Sequence, residues 1–196
     1  MTDAAGATDK LYSLERMGEQ PEPIDPWVPG STSAGQMLWL ANAYAEGAEV
    51  LADALVTDDF TRQFTSTRVV LHLCRHAAEL YLKGAIGVAT NQPPLATHRL
   101  DQLYAQYVLL YPQEHHWLEV PFSRQVLSAD EGLFPGTMEE YQRTHDQRFR
   151  YLTDTKGKPF MEFEKFDVRA YAEAITSFRQ ALSILVARIE FPCGFD

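Results

Sequence analysis

The chain has 196 residues, 45% hydrophobic and 22% charged, with 27 acidic against 17 basic side chains and a formal net charge of −10. That length and apolar content suffice for one buried core in one domain. The charge balance argues against non-specific attraction to long nucleic acid, which needs clustered Lys and Arg, but leaves room for a local basic site. Two cysteines, Cys74 and Cys193, do not make a disulfide framework and suit a reducing cytosol.

Residues 1 to 30 read as a flexible or docked tail, acidic and punctuated by Pro21, Pro23, Pro26 and Pro29. Its opening Met-Thr-Asp-Ala-Ala-Gly has no basic region followed by an apolar one, and no segment of the chain approaches the roughly 20 apolar residues of a membrane span. A cytoplasmic protein without membrane contact is the expectation. Residues 31 to 196 then form a single helical domain. From Ser33, Met37, Leu38, Leu40, Ala41, Tyr44, Ala48, Leu51, Ala52 and Leu55 recur at three- and four-residue steps, with Ser31, Thr32 or Ser33 as N-cap candidates. Thr57-Asp58-Asp59 ends this helix and opens the next, predicted from about Phe60 to Val88 and broken by Asn91-Gln-Pro-Pro.

Thr97 or His98 opens a third helix with Leu100, Leu103, Tyr104, Tyr107 and Leu110 on one face, stopped by Tyr111-Pro112. Trp117, Leu118, Val120, Phe122, Val126 and Leu127 suggest a short helix interrupted near Pro121. The run from Arg148 to Pro159 reads as an ordered loop or small hairpin. A last helix, capped by Asp167, carries Val168, Tyr171, Ala172, Ile175, Phe178, Leu182, Leu185, Val186 and Ile189 along one side. Four long helices without a convincing strand define an all-α bundle with a short helix or loop insertion. There is no internal repeat and no glycine-rich phosphate loop, and no cofactor is expected.

The second helix carries the chemistry. At 100° per residue, His72, Arg75, His76, Glu79 and Lys83 fall within a stripe about 100° wide. The rest of its circumference is apolar or small: Val70, Leu71, Leu73, Cys74, Ala77, Ala78, Leu80, Tyr81, Leu82 and Ile86. A surface helix has the reverse pattern. Polar groups in such a place are paired, solvated in a cleft, or working.

The segments Arg75-His76-Ala-Ala-Glu79-Leu-Tyr-Leu-Lys83 and Thr97-His98-Arg-Leu100-Asp-Gln-Leu103 together resemble the HEPN superfamily of all-α domains, as does Phe149-Arg150-Tyr151 before the final helix. The resemblance covers roughly residues 35 to 190. It implies a HEPN-like bundle, found among prokaryotic defence proteins, toxin–antitoxin systems and partners of minimal nucleotidyltransferases. Active members are dimeric, metal-independent ribonucleases marked by an Arg followed by a His after four to six residues. That signature is absent: three residues separate Arg68 from His72, seven separate Arg68 from His76, and one separates Arg143 from His145.

Three readings of the stripe follow. In the first, Arg75, His76 and His98 line a cleft of a binding module that recognises RNA, a nucleotide or a partner protein, in a homodimer whose second subunit covers part of the apolar helix. Lys83, Arg148, Arg150, Tyr151 and Lys156 would contact phosphate or bases, since Arg143 to Lys158 is the one basic concentration in an acidic chain. In the second, a metal-independent endoribonuclease uses Arg75 on phosphate, His76 as acid or base, Glu79 to orient that imidazole and Lys83 to stabilise negative charge, with His98 nearby. In the third, Arg75, Glu79 and Lys83 form an internal ion-pair network. His72, His76 and Glu79 also have a metal-ligand spacing, though Leu73 stands where a metalloprotease helix carries Glu. Neither cysteine has neighbours that would make a reactive thiolate.

Overall fold

Four helices account for most of what the computed structural model describes, namely residues 32–57, 63–93, 96–118, 150–151, 153, 156–157 and 168–191. They are α1 (Ser33–Thr57), α2 (Gln63–Thr90), α3 (Leu100–Leu110) and α4 (Val168–Glu190), with a single 3-10 turn at Glu114–His116. No strand occurs among the described residues, and none of their helices is long and apolar enough to cross a membrane. The tail, the segment 119–149 with Phe149, Arg148, Arg143 and His145, and the Asp167 cap lie outside the described residues.

Helix α1 begins where a threonine can close it: the Thr32 hydroxyl accepts a hydrogen bond from the Gly35 amide at 3.1 Å. Its buried positions are Gly35, Leu38, Ala41, Ala45, Ala48, Ala52 and Leu55, at steps of three and four residues. Leu40, expected on this face, points outward at 37% exposure, because these steps pass through Ala41 and Ala45 instead. Four alanines let α1 lie close against α2, which answers with Cys74, Ala77, Ala78, Gly84 and Ala85. The closest approach is at Gly84, where a Cβ would stand 2.8 Å from the Ala34 carbonyl oxygen and 2.8 Å from Leu38 Cγ. Only glycine fits there.

Helix α2 contacts the other three helices and α4 also packs on α1, so the core is shared by α1, α2 and α4 with α3 laid on α2. Ile175, Phe178, Leu182, Leu185, Val186 and Ile189 fill it from α4 at the spacing the sequence carries. Glu49 of α1 accepts from Arg179 of α4 at 2.8 Å and pins the two helices near their middles.

Two boundaries differ from the sequence expectation. Helix α2 continues two residues past Val88, to Thr90, whose hydroxyl donates to the Ile86 carbonyl at 2.7 Å; Asn91 then takes the left-handed conformation at φ 50° that ends many helices. Helix α3 starts at Leu100 rather than at Thr97 or His98. The cause is Arg75, which donates to the His98 carbonyl at 2.6 Å and so takes an acceptor that a helix opening at His98 would use. Thr97 instead receives the Arg99 amide on its hydroxyl at 3.1 Å. After α3, Trp117 and Leu118 follow the 3-10 turn in non-helical backbone, so the short helix expected at 117 does not begin there.

At the α2–α3–α4 junction sits a tyrosine ladder. Tyr107 donates to the His116 carbonyl, so Tyr81, 2.7 Å away, must be the donor to the Tyr107 oxygen. Tyr111 donates to the Ala85 carbonyl at 3.1 Å. Burial, the first cause in each case, pushes the Tyr81 phenol up and lifts Tyr107 to about 12. Arg188 of α4 donates to the His115 carbonyl, fixing the 3-10 turn to the bundle.

Candidate functional site

The α2 stripe divides into two neighbourhoods. Its C-terminal half is a closed ionic network. Glu79, only 2% exposed, accepts on one oxygen from Arg75 Nη1 at 3.0 Å and on the other from Lys83 Nζ at 2.8 Å. That second oxygen also binds His98 Nδ1 at 2.8 Å. Both cations lie one helical turn from the carboxylate, the spacing that brings side chains together. The remaining reach of Arg75, Nη2, goes to the His98 carbonyl. One guanidinium and one carboxylate thereby fasten the loop before α3 to α2 by both the backbone and the side chain of His98.

Burial works against ionisation of Glu79, but the Lys83 hydrogen bond, the charges of Arg75 and Lys83 and the His98 hydrogen bond more than offset it. The carboxyl is held down at about 2. An ionised carboxylate can only accept, so His98 Nδ1 carries the hydrogen. The imidazole is then fixed with Nε2 turned away from Glu79, on a side chain 65% exposed.

The N-terminal half is a cluster of imidazoles and guanidinium. His72 and His76 stack with their centroids 5.8 Å apart and planes 19° from parallel. His76 also meets the Tyr44 ring of α1 edge to face, at 4.5 Å and 85°. Beside them lies the loop at 150–151. Arg68, one turn before His72, donates to the Tyr151 carbonyl at 2.8 Å, and Arg150 sits over the Tyr151 ring at 5.3 Å. Burial lowers His72 to about 4, helped by the positive fields of His76, Arg150 and Arg75. Burial is also the first cause that lowers His76; Glu79 opposes it, and Arg75, Arg150 and Lys83 add to it. Both rings are neutral at pH 7. His72 Nδ1 is buried without a hydrogen-bond partner.

The residues the sequence singled out are therefore sorted rather than gathered. Arg75, Glu79, Lys83 and His98 come together. His76 does not join their hydrogen bonds, and the imidazole that Glu79 orients is His98, one helix away, not His76. Arg150 and Tyr151 come to the N-terminal half of the stripe, where Arg68 holds the Tyr151 carbonyl and the charge of Arg150 reaches His72 and His76. Lys156 is exposed on the turn completed by Gly157 at φ 76°, and Arg148 lies outside the described residues.

The metal reading of His72, His76 and Glu79 does not hold, since no group of three or more His, Cys, Asp or Glu among the described residues is placed to bind an ion. The reason is the network: both Glu79 oxygens face Arg75, Lys83 and His98. Cys74 is fully buried and its thiol is pushed up to about 12, which leaves it unreactive.

Arg68 and Tyr44 are the members the sequence reading did not assign. Arg68 stands at i−4 from His72 on the same stripe, a signal that was available. Tyr44 looked like one more apolar position of α1. Comparison of the chain with protein-family models, curated proteins and solved structures gives no match.

Proposed function

We propose that this chain is a HEPN-like binding module that takes a nucleotide or RNA on the α2 face. The observation that carries the proposal is the cluster of His72, His76 and Arg150 in a protein of net charge −10. Two neutral, half-buried imidazoles and an exposed arginine are gathered where Glu79, the carboxylate whose charge reaches both rings, is already bound three ways. Neutral imidazole N–H groups, a guanidinium fork and the Tyr151 ring are the donors and stacking surface that single-stranded RNA uses. The motif resemblance supports a HEPN-like bundle in the cytosol, acting as a homodimer in a defence or toxin–antitoxin setting. The Arg75–Glu79–Lys83–His98 network serves this face as a frame that holds the α3 loop in place.

Direct binding tests the proposal. A labelled short oligoribonucleotide titrated with the protein should show saturable, salt-sensitive binding that His72→Ala and Arg150→Ala weaken while both remain folded. Absence of binding at low salt would refute it.

The second reading, a metal-independent endoribonuclease, draws support from one feature. A buried ionised carboxylate holding Nδ1–H of an exposed histidine leaves Nε2 as a proton acceptor, the arrangement that serves a general base. Incubation with total tRNA in EDTA separates the readings: cleavage that His98→Ala abolishes favours the enzyme, and intact tRNA with retained binding favours the module. Arg75→Ala and His76→Ala run alongside test the pair that the sequence pattern nominates for this chemistry.

A further inference from the structure

We propose that Arg150 and His72 form a phosphate subsite at the N-terminal half of α2, with Arg68 as the residue that positions it. The proposal rests on the reading above, that a phosphate-bearing ligand comes to this face. It puts the anion about one helical turn from Arg75, the residue the sequence nominates for that task.

Arg75 is the wrong group for an incoming phosphate because it is only 3% exposed and both ends of its fork are engaged, by Glu79 and by the His98 carbonyl. A ligand there would have to break a buried ion pair before gaining a contact. Arg150 has the opposite circumstances. It is exposed, its guanidinium lies over the Tyr151 ring, and its one weak side-chain contact is with the Tyr151 hydroxyl at 3.4 Å. Its charge nevertheless reaches both His72 and His76. The loop that carries it is held by Arg68, whose Nη2 grips the Tyr151 carbonyl at 2.8 Å. The anchor and the ligand-facing group are thus different arginines, so the second needs no internal partner.

The imidazole completes the subsite through its tautomer. His72 Nδ1 is buried with no hydrogen-bond partner. A buried N–H left without a partner is rarer in folded proteins than a buried acceptor left without one. The hydrogen therefore resides on Nε2, and a neutral His72 offers a donor. A guanidinium fork and an N–H donor, brought to the same end of α2 by the Arg68–Tyr151 contact, are complementary to two phosphate oxygens. His76, parallel to His72 and braced by Tyr44, keeps that ring from turning.

The test follows histidine side chains by long-range 1H–15N correlation in the full-length protein, during titration with inorganic phosphate and separately with a short oligouridylate. Free protein should show His72 as the Nε2–H tautomer. Both probes should shift His72 and His76 more than His98 and His115, and Arg150→Ala should weaken both by about tenfold or more, the loss expected of one charge-assisted bond. Arg68→Ala should weaken both as well, with Arg68→Lys restoring part of the affinity by regaining the carbonyl contact. If oligouridylate binds while His72 stays unmoved and Arg150→Ala binds as tightly as wild type, the subsite is refuted and the RNA reading stands. If phosphate binds in an Arg150-dependent way but oligouridylate does not, the subsite stands and the RNA reading falls. No response to either probe overturns both.

Discussion

Replacing Glu79 with glutamine keeps the shape of the side chain and removes its charge, leaving Arg75 and Lys83 as cations in a place where neither reaches water freely. Arg75 is 3% exposed and the Lys83 side chain 12%. Removing one partner of a buried ion pair costs about 3 to 5 kcal/mol. The carboxyl itself gives a matching figure, since holding it at about 2 rather than its ordinary 4.5 corresponds to about 3 kcal/mol of stability at neutral pH.

For a chain of this length such a loss lowers the melting temperature by roughly 6 to 12 °C. The sign with pH follows from the depressed value: the contribution is complete above about 4.5 and is lost as pH falls toward 2. Urea denaturation of wild type and Glu79→Gln at pH 7 and at pH 3 measures both. The gap between them should be about 3 kcal/mol at pH 7 and about 1 kcal/mol at pH 3. Equal stability at pH 7, or a gap that does not close in acid, would refute the network as a framework element.

Other substitutions check the packing around the site. Gly84→Ala drives a Cβ to 2.8 Å from the Ala34 carbonyl and should destabilise by about 1 to 3 kcal/mol, whereas Gly47→Ala, exposed in the middle of α1 with nothing within 4 Å, should stabilise by about 0.5 to 1 kcal/mol in the same thermal melts. Tyr107→Phe strands the Tyr81 hydroxyl and should cost about 1 to 3 kcal/mol, while Tyr81→Phe removes only a donor that Tyr107 can lose at small cost; equal effects would contradict the direction of the ladder. An NMR titration should find the His72 midpoint near 4, and because the unfolded chain then binds the proton more readily, the His72 contribution makes the fold less stable as pH drops from about 6.5 toward 4. A midpoint near 6.5 would mean that the ring is not held as described.

Much of the bundle was readable because its physics is periodic. The three-and-four spacing of Leu38, Ala41, Ala48, Ala52 and Leu55, and of Ile175, Phe178, Leu182 and Ile189, is written directly in the residues. The stripe on α2 was readable for the same reason, since five ionisable groups on one face of an apolar helix stand out without any partner being known. What the sequence could not carry was which neighbour each group meets. Glu79 has three candidate imidazoles within reach of a sequence argument, His72 and His76 on its own helix and His98 beyond it. The choice falls on His98 because Arg75 draws the α3 loop in by the His98 carbonyl. That decision depends on a contact 23 residues away, as does the late start of α3. Likewise, nothing local ties Arg68 to Tyr151, 83 residues on. Periodicity identifies faces; pairing between faces is a tertiary matter.

The proposed function divides the α2 stripe into a framework half and a ligand half. The most direct measurement compares His72→Ala and Glu79→Gln for melting temperature and for affinity toward a labelled oligoribonucleotide, at a temperature where both are folded. His72→Ala should bind at least about tenfold more weakly with its melting temperature nearly unchanged. Glu79→Gln should melt lower and still bind. Affinity lost with Glu79 and retained without His72 would contradict the division and return the ligand to Arg75 and His98.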